Sequence, residues 1–206
     1  MFYIKLKSVV AIDRNRKIYI DMEQPFLKFD EFPNTELLER CVADVTNSLV
    51  EYPEIILYGK VCHQRRCVGF FSDDITGYHY SGQKSYSEPM TKSLNEMLSL
   101  VNNMYKAKYN GILVNKYKNG NDYISAHSDD EYLCDVSGVV AVSYGATRKF
   151  RIRNKHTKKK TSDFELISGS MLQMGGSFQQ EFTHEIPVQK KVKNERISFT
   201  FRKHNK

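Results

Sequence analysis

The segment from Arg196 to Arg202 reads RISFTFR and alternates without a break between polar and apolar residues. A period of two fits a β-strand, because successive side chains of an extended chain point to opposite faces. One face then carries Ile197, Phe199 and Phe201, and the other Arg196, Ser198, Thr200 and Arg202. An ordinary half-buried strand turns its polar face to water. Here that face holds two guanidiniums, whose planar forks suit capture of carboxylates. Other stretches extend the β reading. GVVAVSY from Gly138 is nearly all apolar, as in a strand buried within a sandwich. GILVNKY from Gly111 runs into Asn119-Gly120, a turn signal. Phe150 to Arg153 reads as a further strand, and Phe164 to Met174 as two strands around Gly169.

Two segments read as helices. Asn34 or Thr35 can cap one running to about Leu49, with Leu37, Leu38, Val42, Val45 and Leu49 on one stripe. A second follows Pro89, from about Thr91 to Lys106, with Leu94, Met97, Leu98, Val101 and Met104 as its apolar face. Both stripes are read as core contacts. Residues 1–33 hold short apolar pieces, at Phe2, Ile4 and Leu6 and again near Ile18 to Ile20, which suit edge strands or a loop. A chain of 206 residues fits a single domain with a real core.

The formal net charge is +7, which suits a polyanionic partner. Cys41, Cys62, Cys67 and Cys134 form no CxxC pair, a pattern of reducing compartments. No apolar run has the length of a membrane span, and the first residues lack a signal-peptide core. The expectation is an intracellular monomer, in nucleus or cytoplasm, with no membrane partner. Arg65, Arg66, Phe70, Phe71, Tyr78 and Tyr80 interleave cations with rings, as nucleic acid would require. A hairpin whose aromatics pack inward is the alternative. The basic run from Arg148 to Lys160 reads as a solvated loop or as a set of phosphate contacts.

Asn115 to Glu131 reads NKYKNGNDYISAHSDDE, with His127 and Asp129 two residues apart. In extended chain they converge on one side. Two imidazoles, one carboxylate and open positions form the ligand set of a non-heme Fe(II) oxygenase. The third ligand must come from further along, and His184 is the candidate. A polar surface turn would show the same pair. His63, His79, His156 and His204 have no such support.

These pieces together resemble the AlkB family of Fe(II)/2-oxoglutarate-dependent nucleic-acid dealkylases. The resemblance is carried by NKYKNGNDYISAHSDDE, VVAVSYGATRKFRIR, THEIP and ERISFTFRK, with ILYGKVCHQRR and GYHYSG upstream as in the eukaryotic DNA-repair branch. It implies a mainly β fold with flanking helices, a double-stranded β-helix (jelly-roll, cupin-like) core at about 111–202. N-terminal strands and a helix would occupy about 1–54, and a nucleotide-recognition region about 55–88. It implies Fe(II) on His127, Asp129 and His184, with O2 and 2-oxoglutarate as co-substrates. Asn115, Tyr117, Arg196, Thr200 and Arg202 would hold the 2-oxoglutarate. Tyr58 before the Gly59-Lys60 turn would wedge into the gap left by a flipped base, with Arg66 nearby. Tyr78 and Tyr80 would line the base pocket, and Asp130 and Glu131 would contact the base or nucleotide. The implied activity is oxidative demethylation of bases of the 1-methyladenine and 3-methylcytosine type, with DNA favoured and RNA as the alternative. Ser198 stands where relatives often have asparagine, and the chain has no tryptophan. An oxygenase acting on protein, or a non-catalytic nucleic-acid-binding module, are the rival classes.

Overall fold

Period-two patterning builds two facing antiparallel sheets. The structure, a computed structural model, describes residues 24–57, 59–74, 77–80, 83–129 and 138–204, together with strand positions 2–5, 11–12 and 18–19. Chain order begins with β1 (Phe2–Lys5), β2 (Ala11–Ile12), β3 (Ile18–Tyr19), β4 (Phe26–Glu31) and helix α1 (Thr35–Val45). It continues through β5 (Glu54–Leu57), β6 (Lys60–His63), β7 (Cys67–Phe71), β8 (Gly77–Tyr80), β9 (Gln83–Tyr86) and helix α2 (Lys92–Tyr105). Then come β10 (Gly111–Tyr117), β11 (Ile124–His127), β12 (Val139–Gly145), β13 (Arg148–Asn154), β14 (Lys160–Leu166) and β15 (Ser170–Gly175). The short α3 (Phe178–Glu181), β16 (Phe182–Ile186) and β17 (Arg196–Arg202) complete the series.

The larger sheet runs β1-β4-β15-β12-β17-β10-β7, and the smaller runs β11-β16-β13-β14. This is the jelly-roll sandwich, with β17 at the middle of the larger sheet. Its neighbours align in register: Tyr117, Arg196 and Gly145 form one row, and Asn115, Ser198 and Ser143 the next. Leu113, Thr200 and Ala141 form the third row. Because alternate residues of neighbouring strands share a face, the polar side of β17 looks into the sandwich.

Every residue of β17 is buried. Its Ile197, Phe199 and Phe201 pack outward with Ile112, Val114, Val140 and Val142 against the apolar stripes of α1 and α2. Phe199 and Phe201 are fully inaccessible, and losing such a ring costs about 3–5 kcal/mol. A second core lies between the sheets, where Phe150, Ile152, Phe178, Phe182 and Ile186 meet Leu172 and Met174. Helices thus cover one face of β17, and the smaller sheet covers the other.

The helices are held at their starts. Asn34 Oδ1 accepts from the Leu37 amide at 2.9 Å, and Thr91 Oγ1 from the Leu94 amide at 3.1 Å. Helix α1 ends at Val45 rather than near Leu49. Thr46-Asn47-Ser48 makes a turn, and Val50 then bridges to Val68 of β7. Residues 26–31 supply a strand inside the larger sheet, not an edge, and α3 lies where no helix was expected. Leu57 already pairs with Lys60, so the β5–β6 turn falls one residue earlier than Gly59-Lys60 suggests. Gly59 takes φ of 74° there, a value that suits glycine.

Candidate metal centre

Strands β11 and β16 are neighbours in the smaller sheet, and His127 pairs directly with His184. Asp129 lies just past the end of β11. Its Oδ1 is 3.6 Å from His127 Nε2, and its Oδ2 is 3.6 Å from His184 Nε2. The three candidate ligand atoms lie within 4.8 Å of one another. The imidazole centroids are 4.3 Å apart.

Each side chain is oriented. His127 Nδ1 faces the Ser125 carbonyl at 2.9 Å. A carbonyl can only accept, so Nδ1 carries the proton and Nε2 presents its lone pair. His184 is buried and its ring stacks on Phe150 at 5.2 Å. Burial, helped by the nearby His127 and Arg202, pushes its pKa down to about 3, so the ring is neutral at physiological pH. Burial lowers His127 in the same direction. For Asp129 burial works the other way, but Arg202, His184, His127 and Arg66 together hold its carboxyl below the ordinary range. Neutral imidazoles and an ionised carboxylate are the forms that bind a divalent cation.

The cavity that opens onto these groups is lined by β10, β12 and β17. Asn115, Tyr117, Arg196, Ser198, Thr200 and Arg202 all face it. Asn115 Oδ1 accepts from Arg66 Nε at 2.6 Å, which leaves its amide group as a donor. Arg66 is therefore a buried wall of the site. Arg196 donates through Nη2 to Ser143 Oγ at 2.9 Å, and its guanidinium lies over the Tyr117 ring at 5.4 Å. Its Nε and Nη1 are buried without a hydrogen-bond partner among the described residues. Burial lowers its pKa to about 10, so it stays charged at pH 7. A buried cation with two unused donors costs free energy unless an anion completes it. Arg202 instead points toward the metal side, with Nη2 2.6 Å from Asp129 Oδ1. The residues fit a divalent cation at the triad and a carboxylate-bearing molecule beside it.

Three contributors escaped the sequence reading. Gln179 on α3 accepts from the Asp129 amide at 2.9 Å and so fixes the chain past β11. Ser143 holds Arg196. Arg148, read as part of a solvated run, is fully buried. Ser143 faces inward because it pairs with Ser198 on the polar side of β17; nothing local in the sequence distinguishes either Ser143 or Gln179.

Of the remaining expected residues, Lys60 lies exposed on β6 beside Gly59. Tyr78 and Tyr80 lie on β8, which pairs with β9, and their side chains are outside the described residues. Tyr58, Asp130 and Glu131 also fall outside the described residues. The basic run divides. Arg151 and Arg153 pair with Asp163 and Glu185 on neighbouring strands, while Lys158 and Lys159 are exposed in the β13–β14 turn.

A family model described as the 2OG-Fe(II) oxygenase superfamily matches residues 31–202. The human protein "DNA oxidative demethylase ALKBH2" is 31% identical over 174 residues, covering 81% of this chain. The chain spans 66% of that protein's length, just under two thirds. Its mouse counterpart of the same name is 30% identical, with 81% of this chain and 72% of the relative covered. Among solved structures, that of OsALKBH1 superimposes with a TM-score of 0.57 at 15% identity, over 90% of this chain and 99% of that one. At that identity the match speaks for the fold alone.

Proposed function

Because the chain belongs to the 2OG-Fe(II) oxygenase superfamily, and within it to the AlkB family, we propose that it oxidatively demethylates N-alkylated bases in nucleic acid. The observation that carries this reading is one cavity with two ends. At one end stand His127, Asp129 and His184. At the other is Arg196, charged, buried and with its Nε and Nη1 donors unused among the described residues.

His127 Nε2, His184 Nε2 and an Asp129 oxygen would hold Fe(II). Arg196 would take the distal carboxylate of 2-oxoglutarate, with Tyr117 and Thr200 as flanking hydroxyls and Asn115 as an amide donor. Arg202 keeps the Asp129 carboxylate ionised and oriented. When bound, Fe(II) with 2-oxoglutarate and O2 supplies the oxidation that converts an N-methyl group to N-hydroxymethyl, with succinate and CO2 as co-products. The hydroxymethyl group then leaves as formaldehyde, and the ring nitrogen recovers its proton or lone pair. The chain's own work is to hold the co-substrate against the metal, exclude water and deliver the methyl group to one point.

Delivery requires the target base to leave its stack. Tyr58, which precedes Gly59 and Lys60 in the chain, is the proposed wedge. Tyr78 and Tyr80 are the proposed base-pocket rings, and Asp130 and Glu131 the proposed contacts to the flipped nucleotide. The exposed lysines of the β13–β14 turn suit phosphate. The hairpin with Tyr58 and the Tyr78/Tyr80 pair favour DNA over RNA, with 1-methyladenine and 3-methylcytosine as the lesions. The chain would act as a monomer, in nucleus or cytoplasm; no helix among the described residues is long and apolar enough to cross a membrane.

The test is incubation with Fe(II), 2-oxoglutarate and a panel of methylated DNA and RNA oligonucleotides, read by mass and by formaldehyde release. Loss of the methyl group from 1-methyladenine or 3-methylcytosine supports the reading. Turnover of 2-oxoglutarate on a protein substrate, with every oligonucleotide returned unchanged, contradicts it.

A further inference from the structure

Arg148 opens β13 and is 1% exposed; the oxygens that accept its hydrogen bonds are carbonyls, while the Asp122 carboxylate attracts it without a direct bond. Its Nη2 donates to Asp122 O at 2.8 Å and to Pro187 O at 2.9 Å. Nη1 donates to Asn119 O at 3.1 Å, and Nε to Gln189 Oε1 at 3.3 Å. The guanidinium also lies over the Tyr117 ring, 5.4 Å from its centroid, as the Arg196 guanidinium does. Desolvating a cation costs several kcal/mol, so four directed bonds from one side chain describe a built junction.

What the junction joins is informative. Asp122 leads into β11, which carries His127 at its far end, and Pro187 directly follows β16, which carries His184. Those two strands make a poor ladder. Only Ile124–Ile186 and His127–His184 are paired, and the register shifts between them. A slip of one residue in such a pair would turn an imidazole to the opposite face. Arg148 ties the ends of both strands together beside the Ile124–Ile186 pair. The backbone bond from Gln189 N to Gly120 O, 2.8 Å, closes the same corner.

We propose that Arg148 is a positioning residue that sets the β11–β16 register, and through it the spacing of the two imidazoles, while holding Tyr117 against the cavity. This rests on the reading that the imidazoles hold a divalent cation. Arg148 touches neither cation nor co-substrate; it acts through the strands and the ring.

The test compares Mn(II) affinity, from the electron paramagnetic resonance signal of free Mn(II), in the wild type, Arg148→Met, Arg148→Lys and His127→Ala. Phe201→Leu, a core change on the helix side of β17, controls for reduced stability. KM for 2-oxoglutarate and kcat are measured in parallel. Arg148→Met is expected to weaken Mn(II) binding about 10- to 100-fold, the range for supports of a metal ligand, and to raise KM for 2-oxoglutarate. Phe201→Leu should lower the melting temperature with Mn(II) affinity unchanged. If Arg148→Met fails to fold, Arg148→Lys decides, since lysine keeps the charge but lacks the fork and should also weaken Mn(II) binding. Wild-type affinity in the folded Arg148 variant, or an equal loss in Phe201→Leu, overturns the proposal. Binding in the wild type that survives His127→Ala instead overturns the metal-site reading beneath it.

Discussion

The Arg202 guanidinium sits 2.6 Å from the Asp129 carboxylate, joining the last residue of β17 to the loop just past β11. One of the two arginines of RISFTFR thus braces a metal ligand, while the other, Arg196, faces the cavity with donors to spare. The two guanidiniums, alike in sequence, do different work.

Removing the brace should loosen the metal before anything else. Arg202→Gln leaves Asp129 without its strongest cationic neighbour, so Mn(II) affinity is expected to fall about 10- to 100-fold. Isothermal titration with Mn(II) checks it. Unchanged affinity would mean that Arg202 serves the co-substrate alone.

Arg196 predicts an opposition between stability and function. Its buried cation lacks a carboxylate among the described residues, so Arg196→Met should stabilise the ligand-free protein by about 1–2 kcal/mol. The same change should abolish stabilisation by 2-oxoglutarate, which in the wild type should reach about 2.7 kcal/mol at a hundredfold excess over Kd. Melting curves with Mn(II), with and without 2-oxoglutarate, measure both effects.

His204 sets a pH dependence. Burial, and then Arg202, lower its pKa from 6.5 to about 4 in the folded chain. Between those values the unfolded chain binds a proton that the folded chain refuses. Its contribution is therefore complete above pH 6.5 and is lost as pH falls toward 4, by about 2 kcal/mol after allowance for partial exposure. His184, lowered to about 3, adds to the same slope in metal-free protein. Urea unfolding in chelator at pH 7 and pH 5 should show a smaller loss in His204→Gln than in the wild type.

Lys158 and Lys159 offer charge without structure, being exposed in the β13–β14 turn. Replacing both with glutamine should weaken oligonucleotide binding at low salt. It should also reduce the slope of log K against log salt by about 0.9 for each phosphate that is no longer neutralised. Fluorescence anisotropy across a salt series reads this, and turnover of a free methylated nucleoside should not change.

Legibility in the sequence followed the range of the signal. Alternation in Arg196–Arg202 and the apolar run of Gly111–Tyr117 before Asn119-Gly120 are local signals, and the structure lays these strands side by side so that Arg196 meets Tyr117 and Ser198 meets Asn115. The His127–Asp129 spacing is local too, and β16 brings His184 to it. Arg148 was illegible because its role depends on carbonyls at Asn119, Asp122 and Pro187, none of which marks the sequence. Its neighbours in the basic run reach partners on other strands or water, so composition alone could not separate them. Gln179 and β4 were missed for the same reason. The amide acceptor is ordinary until α3 places it under Asp129, and Phe26–Glu31 becomes an inner strand only when β15 pairs with it.

The most direct test of the account is a crystal structure with Mn(II) and 2-oxoglutarate, with anomalous scattering used to place the ion. The expected result is one ion bound by His127 Nε2, His184 Nε2 and an Asp129 oxygen, with the distal carboxylate of 2-oxoglutarate hydrogen-bonded to Arg196. An ion bound elsewhere, or a co-substrate whose distal carboxylate leaves Arg196 Nε and Nη1 unused, would contradict it.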